Sequence, residues 1–148
     1  MTLRTVDWKD NSVIMIDQTK LPNELVFVKY TDYNDVAQAI RTLVVRGAPA
    51  IGVSGAFGMA LAALQSNSET KEGLLSDLEK AKKTLFETRP TAVNLSWGLE
   101  TIMEIAKQGN SISDIRESVI NKAKQMADDD VQTNKEMGKN GAELFQNN

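Results

Sequence analysis

Arg46 is the single charged residue between Thr42 and Ser68, in a chain of 148 residues of which 25% are charged. It sits in Val45-Arg46-Gly47-Ala48-Pro49, where the proline predicts the first turn of a helix. The first amides of a helix have no intrahelical acceptors, and the helix dipole favours an anion beside them. An arginine at that point can hold a phosphate through two parallel hydrogen bonds. Gly47 lets the backbone approach such a ligand closely. Arg89 repeats the pattern: it precedes Pro90, and no charge follows until Glu100. The functional expectation is that both sites converge on one phosphorylated ligand. The structural alternative is that each arginine pairs with a carboxylate or caps the preceding helix. No Walker-type Gly-Lys-Ser/Thr pattern is present.

Other chemistry is restricted by composition. The chain has no cysteine and no histidine, so thiolate zinc sites, cysteine nucleophiles and Ser-His-Asp triads are excluded within it. Seventeen Lys and Arg stand against twenty Asp and Glu, a net charge of -3 that argues against a nucleic-acid partner. Asp17-Gln18-Thr19 follows a strand pattern and could face a cleft, while Asp128-Asp129-Asp130 reads as a solvated acidic face rather than a metal site. No metal and no cofactor are expected. Trp8 and Trp97 are expected to pack rather than stack on a ligand.

The elements that must position the arginines follow from periodicity. Alternation over Leu3–Trp8, a turn at Lys9–Ser12, and apolar runs at Val13–Ile16 and Leu25–Val28 predict three strands in an antiparallel meander. Asp32 is a helix cap, and Tyr33, Val36, Ala37, Ile40, Leu43 and Val44 share one face. A second helix is expected over Pro49–Gln65, ending in Ser66-Asn67-Ser68. Leu74, Leu75, Leu78, Ala81, Leu85 and Phe86 stripe a third; a fourth is expected from Pro90 to about Lys107, ending at Gly109. Ser111 or Ser113 caps a fifth, striped by Ile115, Val119, Ala123, Met126 and Ala127, whose continuity past Asp130 is challenged by Gly138 and Gly141.

Gly52, Gly55 and Gly58 share a face of the second helix. Each costs about 1 kcal/mol against alanine, which close packing of another backbone would offset. The strand-Gly-x-Gly-x-x-Gly order of a dinucleotide site is absent. Met1–Asp10 is polar and suggests no signal peptide, and the apolar stretch Ala48–Leu64 is short for a membrane span. A cytoplasmic setting without a membrane partner is expected.

Three stretches are similar to a known family: Ile16-Asp17-Gln18-Thr19-Lys20-Leu21-Pro22, Val45 to Val53, and Thr88-Arg89-Pro90-Thr91-Ala92-Val93-Asn94-Leu95. They resemble the N-terminal portion of the methylthioribose-1-phosphate isomerases. That family shares a superfamily with ribose-1,5-bisphosphate isomerase and the regulatory subunits of translation initiation factor 2B. Pro49 and Asn94-Leu95-Ser96-Trp97-Gly98-Leu99 look more like the isomerase than its cousins. The resemblance implies conversion of 5-methylthioribose 1-phosphate to 5-methylthioribulose 1-phosphate in methionine salvage. It implies substrate binding by Arg46, Gly47, Ala48 and Arg89, and a catalytic cysteine and aspartate in a C-terminal Rossmann-like domain. No catalytic residue is carried onto this chain.

The expectation is therefore an α+β fold: a small antiparallel three-stranded sheet over residues 1–30, then about five helices over 31–148, forming a single N-terminal domain. The chain stops at Gln146-Asn147-Asn148, short of the cysteine strand, so it is expected to be a piece of a longer protein or one half of a split enzyme, inactive by itself. Expected partners are a sugar-phosphate substrate and the missing C-terminal domain or a complementing chain. An exposed apolar patch would favour a homo-oligomer. The rival expectation is an initiation-factor-like regulatory or assembly module.

Overall fold

The computed structural model describes residues 3–145; Met1 and the terminal Gln146-Asn147-Asn148 invoked above lie outside the described residues. The order is β1 (Val6–Lys9), β2 (Ser12–Ile16), β3 (Phe27–Tyr30), α1 (Tyr33–Arg41), α2 (Ala48–Gln65), α3 (Lys71–Phe86), α4 (Val93–Gln108) and α5 (Ile112–Ala142). The strands form one antiparallel sheet in the order β1-β2-β3, with Lys9 opposite Ser12 and Val13 opposite Tyr30. Asp10 and Asn11 both take φ near +50° and close the first hairpin. Short polar residues tolerate that left-handed pair, which matches the strand twist. The α+β architecture is thus a small sheet followed by five helices.

Helix α2 is the centre. Every residue from Ile51 to Ala63 is buried, and α1, α3, α4, α5, β1 and β2 all touch it. A helix apolar on all sides belongs in a core. By length and composition α2 would also suffice to cross a membrane, and 72% of it is buried among the other elements. Ser54, its one buried hydroxyl, donates back to the Ala50 carbonyl at 2.7 Å.

The helix glycines answer the packing question residue by residue. A Cβ on Gly98 of α4 would lie 2.7 Å from the Gly52 carbonyl oxygen, and one on Gly52 would lie 2.8 Å from that of Asn94. Backbone therefore meets backbone there, and neither position has room for a methyl group. Gly55 and Gly58 accommodate side chains instead: Leu95 and Leu99 at the first, Leu85 and Val36 at the second.

Several boundaries differ from the sequence expectation. Helix α1 stops at Arg41 rather than Val44. Leu43 takes φ +63°, its N–H bonds to Ile40 O, and the Val44 N–H bonds to Ala39 O. This is a Schellman ending with leucine where glycine is usual, so no sequence signal marked it. Leu43 consequently leaves the apolar face and is exposed. Helix α4 begins at Val93, not Pro90: the Ala92 N–H bonds to Arg89 O at 3.0 Å, putting Pro90 second in a β-turn. Strand β3 lies two residues later than expected, and β1 begins at Val6 rather than Leu3. Ser111, not Ser113, caps α5. That helix runs unbroken through Gly138, about 46 Å at 1.5 Å per residue, though its buried residues end at Ala127.

The α2–α4 contact gives a paired prediction. Gly98→Ala should destabilise the protein by about 2–3 kcal/mol in urea unfolding, because backbone cannot yield as a side chain can. Gly138→Ala, with open space around its Cβ position, should stabilise by about 0.5–1 kcal/mol. Similar responses at both positions would contradict the close approach.

Candidate functional site

Helices α1, α3 and α5 satisfy their own N-termini. Asp32, Thr70 and Ser111 accept from the N–H groups of Asn34, Gly73 and Asp114, and Asp35, Glu72 and Asp114 place an acid in each first turn. Helices α2 and α4 do neither. Their caps, Gly47 and Ala92, have no side-chain hydrogen bond, and neither first turn holds an acid. The first intrahelical acceptors serve Ile51 and Ser96, so the Ala48, Ala50, Val93, Asn94 and Leu95 amides precede the helical ladder. These two helices are the ones that follow Arg46 and Arg89.

Gly52 lies in the second turn of α2 and Asn94 in the first turn of α4, so their backbone contact joins the N-terminal ends of the two helices. Pro49, Gly52 and Asn94 line a common cavity of about 230 Å³, completed by Trp97 and by Met126, Asp129, Asp130 and Thr133 of α5. Neither arginine lines this cavity. Arg46 is exposed and Arg89 half-buried, and among the described residues neither has a carboxylate within ion-pair distance.

The segment before α2 is fixed by the end of the sheet. Gln18 donates its backbone N–H to Val44 O at 2.9 Å and its side-chain amide to Arg46 O at 3.3 Å. Asp17 N–H donates to Val26 O, tying the same loop to the residue before β3. The Asp17 carboxylate is taken up by its own turn, accepting from the Thr19 N–H and hydroxyl. Gly47 then takes φ +93°, ψ 132°, a conformation open to glycine and strained for other residues.

The remaining candidates separate. Asp128 pairs with Arg4 at 2.6 Å, away from the two acids that line the cavity. Among the described residues no three carboxylates gather as a metal site would require. Trp8 packs as expected, its ring 5.5 Å from that of Phe57. Trp97 does not: it is 60% exposed, and Val93 one turn earlier is 78% exposed. The buried stripe of α4 is Leu95, Gly98, Leu99, Ile102, Met103 and Ala106, and 3.6 residues per turn put Val93 and Trp97 on the opposite side of the helix. The cavity itself was not legible, because Asp129, Asp130 and Thr133 complete it from beyond the apolar stripe of α5.

Comparison with known proteins gives the family and the fold. A family model described as "Initiation factor 2 subunit family" matches residues 44–148. The chain belongs to that family. A methylthioribose-1-phosphate isomerase of Trichlorobacter lovleyi is 44% identical over 98% of this chain. A putative methylthioribose-1-phosphate isomerase of Pyrococcus horikoshii is 43% identical over 96% of it. The chain spans 42% and 40% of the lengths of these two relatives. Among solved structures, 5-methylthioribose 1-phosphate isomerase from Pyrococcus horikoshii OT3 superposes with a TM-score of 0.93 at 42% identity, covering 97% of this chain and 41% of that one. Translation initiation factor eIF-2B subunit delta from A. fulgidus superposes with a TM-score of 0.92 at 40% identity, covering 99% of this chain and 43% of that one. The three-stranded sheet and five helices thus correspond to one part of a longer fold.

The strain at Gly47 is testable by itself. Nothing lies within 4 Å of its Cβ position, so Gly47→Ala meets no steric obstacle. The substitution should still cost about 1–3 kcal/mol in urea unfolding, all of it conformational. An unchanged midpoint would mean that the backbone before α2 does not need the positive φ.

Proposed function

We propose that this chain is the N-terminal, phosphate-gripping part of an aldose–ketose isomerase that converts 5-methylthioribose 1-phosphate to 5-methylthioribulose 1-phosphate. The observation that carries the reading is the pair of uncapped, acid-free helix starts, each led by an arginine that has no carboxylate partner among the described residues. Free amides and a guanidinium supply hydrogen bonds and positive charge to a phosphate dianion. Arg46, Gly47, Ala48 and Arg89 are the residues assigned to this task. The names of the isomerase relatives support the choice of substrate.

The isomerisation moves hydrogen between the first two sugar carbons while phosphate on the anomeric oxygen blocks simple ring opening. Such a reaction needs a positioned acid and base. This chain offers neither cysteine nor histidine. We assign the cysteine–aspartate pair to a Rossmann-like domain supplied by further sequence or a complementing chain. Residues 1–148 then act as one N-terminal domain in the cytoplasm, binding the substrate without turning it over. The second reading, an assembly or regulatory module without a sugar ligand, draws on the eIF-2B subunit delta likeness.

Titration of this chain with ribose 1-phosphate separates the two. Saturable binding that Arg46→Ala or Arg89→Ala weakens by about 10- to 100-fold supports the isomerase reading, as expected for loss of a charge-assisted contact. Absence of binding, or binding indifferent to both substitutions, contradicts it.

A further inference from the structure

Neither the core nor the two arginines account for Asp17-Gln18-Thr19, the loop that follows β2. Asp17 closes this loop on itself, accepting from the Thr19 N–H at 3.0 Å and from the Thr19 hydroxyl at 2.6 Å. Lys20 and Glu24 add backbone bonds inside it, to Asp17 O and Lys20 O. Gln18 differs, because its hydrogen bonds leave the loop for the segment before α2. Its N–H donates to Val44 O at 2.9 Å, and its side-chain Nε2 donates to Arg46 O at 3.3 Å. Val44 is also held from α1, through its own N–H to Ala39 O, and Val45 is fully buried. Those residues are fixed without the Gln18 side chain. What the side chain adds is a hold on the next peptide, between Arg46 and Gly47.

That peptide is trans, so its C=O and N–H point in opposite directions. Holding Arg46 O toward Gln18 turns the Gly47 N–H away from the sheet loop. The Gly47 N–H has no acceptor among the described residues, as the Ala48 and Ala50 amides have none. A half-turn of the same peptide would exchange the two groups and present a carbonyl oxygen at the open start of α2, where it would repel an anion. Local backbone preference does not forbid the half-turn. Gly47 takes φ +93° and ψ 132°. The exchange would bring its φ to about −90°, ordinary extended backbone at that ψ. Glycine populates the two signs about equally, and nothing lies within 4 Å of its Cβ position. The selection must come from the partner of Arg46 O, and that partner is Gln18.

We propose that Gln18 is a positioning residue of the anion site: its side-chain amide holds the Arg46–Gly47 peptide so that the Gly47 N–H joins those of Ala48 and Ala50. The proposal rests on the phosphate reading given above for what these amides hold. Gln18 itself touches no ligand and acts through the backbone. A side-chain amide suits the task, since it donates to a carbonyl without bringing a charge beside Arg46. A carboxylate of the same length would set an acceptor against an acceptor.

The test compares the unsubstituted chain with Gln18→Met, which keeps the backbone bond to Val44 and the side-chain length but has no donor. Gln18→Asn, with its amide one methylene short, is the second variant. The amide resonances of Asn34, Gly73 and Asp114 show that each variant is folded. The sign of φ at Gly47 is read from its amide–Hα scalar couplings, and each protein is titrated with inorganic phosphate. Without ligand, the Gly47 couplings of both variants should move toward an average over the two signs of φ. Phosphate affinity should fall about 3- to 10-fold, the reciprocal of the fraction left in the competent orientation. Saturating phosphate should restore the couplings of the unsubstituted chain. A brace that merely stiffens the loop would lower the urea midpoint and leave the Gly47 couplings alone. Unchanged couplings, or changed couplings with unchanged phosphate affinity, overturn the proposal. If Arg46→Ala weakens phosphate binding and the Gln18 variants do not, the role of Gln18 falls and the phosphate grip stands. If the unsubstituted chain binds no phosphate, or Arg46→Ala leaves binding unchanged, the phosphate grip itself falls and the role of Gln18 with it.

Discussion

The close approach of two backbones at Gly52 and Gly98 is the constraint on which the rest depends. A methyl group at Gly98 would meet the Gly52 carbonyl oxygen at 2.7 Å, so at this point α2 and α4 meet backbone to backbone. That contact fixes where α4 crosses the central helix, and hence where Asn94, Trp97 and the turn bearing Arg89 stand relative to Arg46. The glycines weaken α2 as an isolated helix, and burial of its entire middle offsets the loss. Stability of the core and geometry of the site are therefore set by the same few atoms.

The division among helix N-termini follows the same logic. Three helices neutralise their own dipoles with Asp32, Thr70 and Ser111 and with nearby acids. The two brought together at the glycine contact leave their first amides for something else. Arginines before these starts add charge of the sign that repels bare helix N-termini from each other, which favours an arrangement completed by an anion. Asp129 and Asp130 of α5 line the cavity beside these two starts.

Much of this was legible in the sequence where residue type alone determines the outcome. The isolation of Arg46 and Arg89 in uncharged segments, Gly52 and its helical neighbours, and the cap Asp32 each announce themselves locally, while the cap of α5 is narrowed to Ser111 or Ser113. Illegible features arise where distant segments decide. Leu43 ends α1 in a conformation normally left to glycine, because Val44 is held by Gln18 from the sheet. Pro90 enters a β-turn rather than a helix, delaying α4 by three residues relative to expectation. Trp97 stands opposite the buried stripe of α4, as 3.6-residue spacing would place it, but no local pattern shows that α5 packs beside it to make it the wall of a cavity.

The central claim is that the paired starts of α2 and α4 form an anion site that the other helix starts do not. Backbone amide shifts during titration with inorganic phosphate test it most directly. The account predicts saturable, concerted shifts at Ala48, Ala50, Val93 and Asn94, with Asn34, Gly73 and Asp114 at the capped helices unmoved. Shifts distributed equally over capped and uncapped helix starts, or none at the α2 and α4 amides, would contradict it.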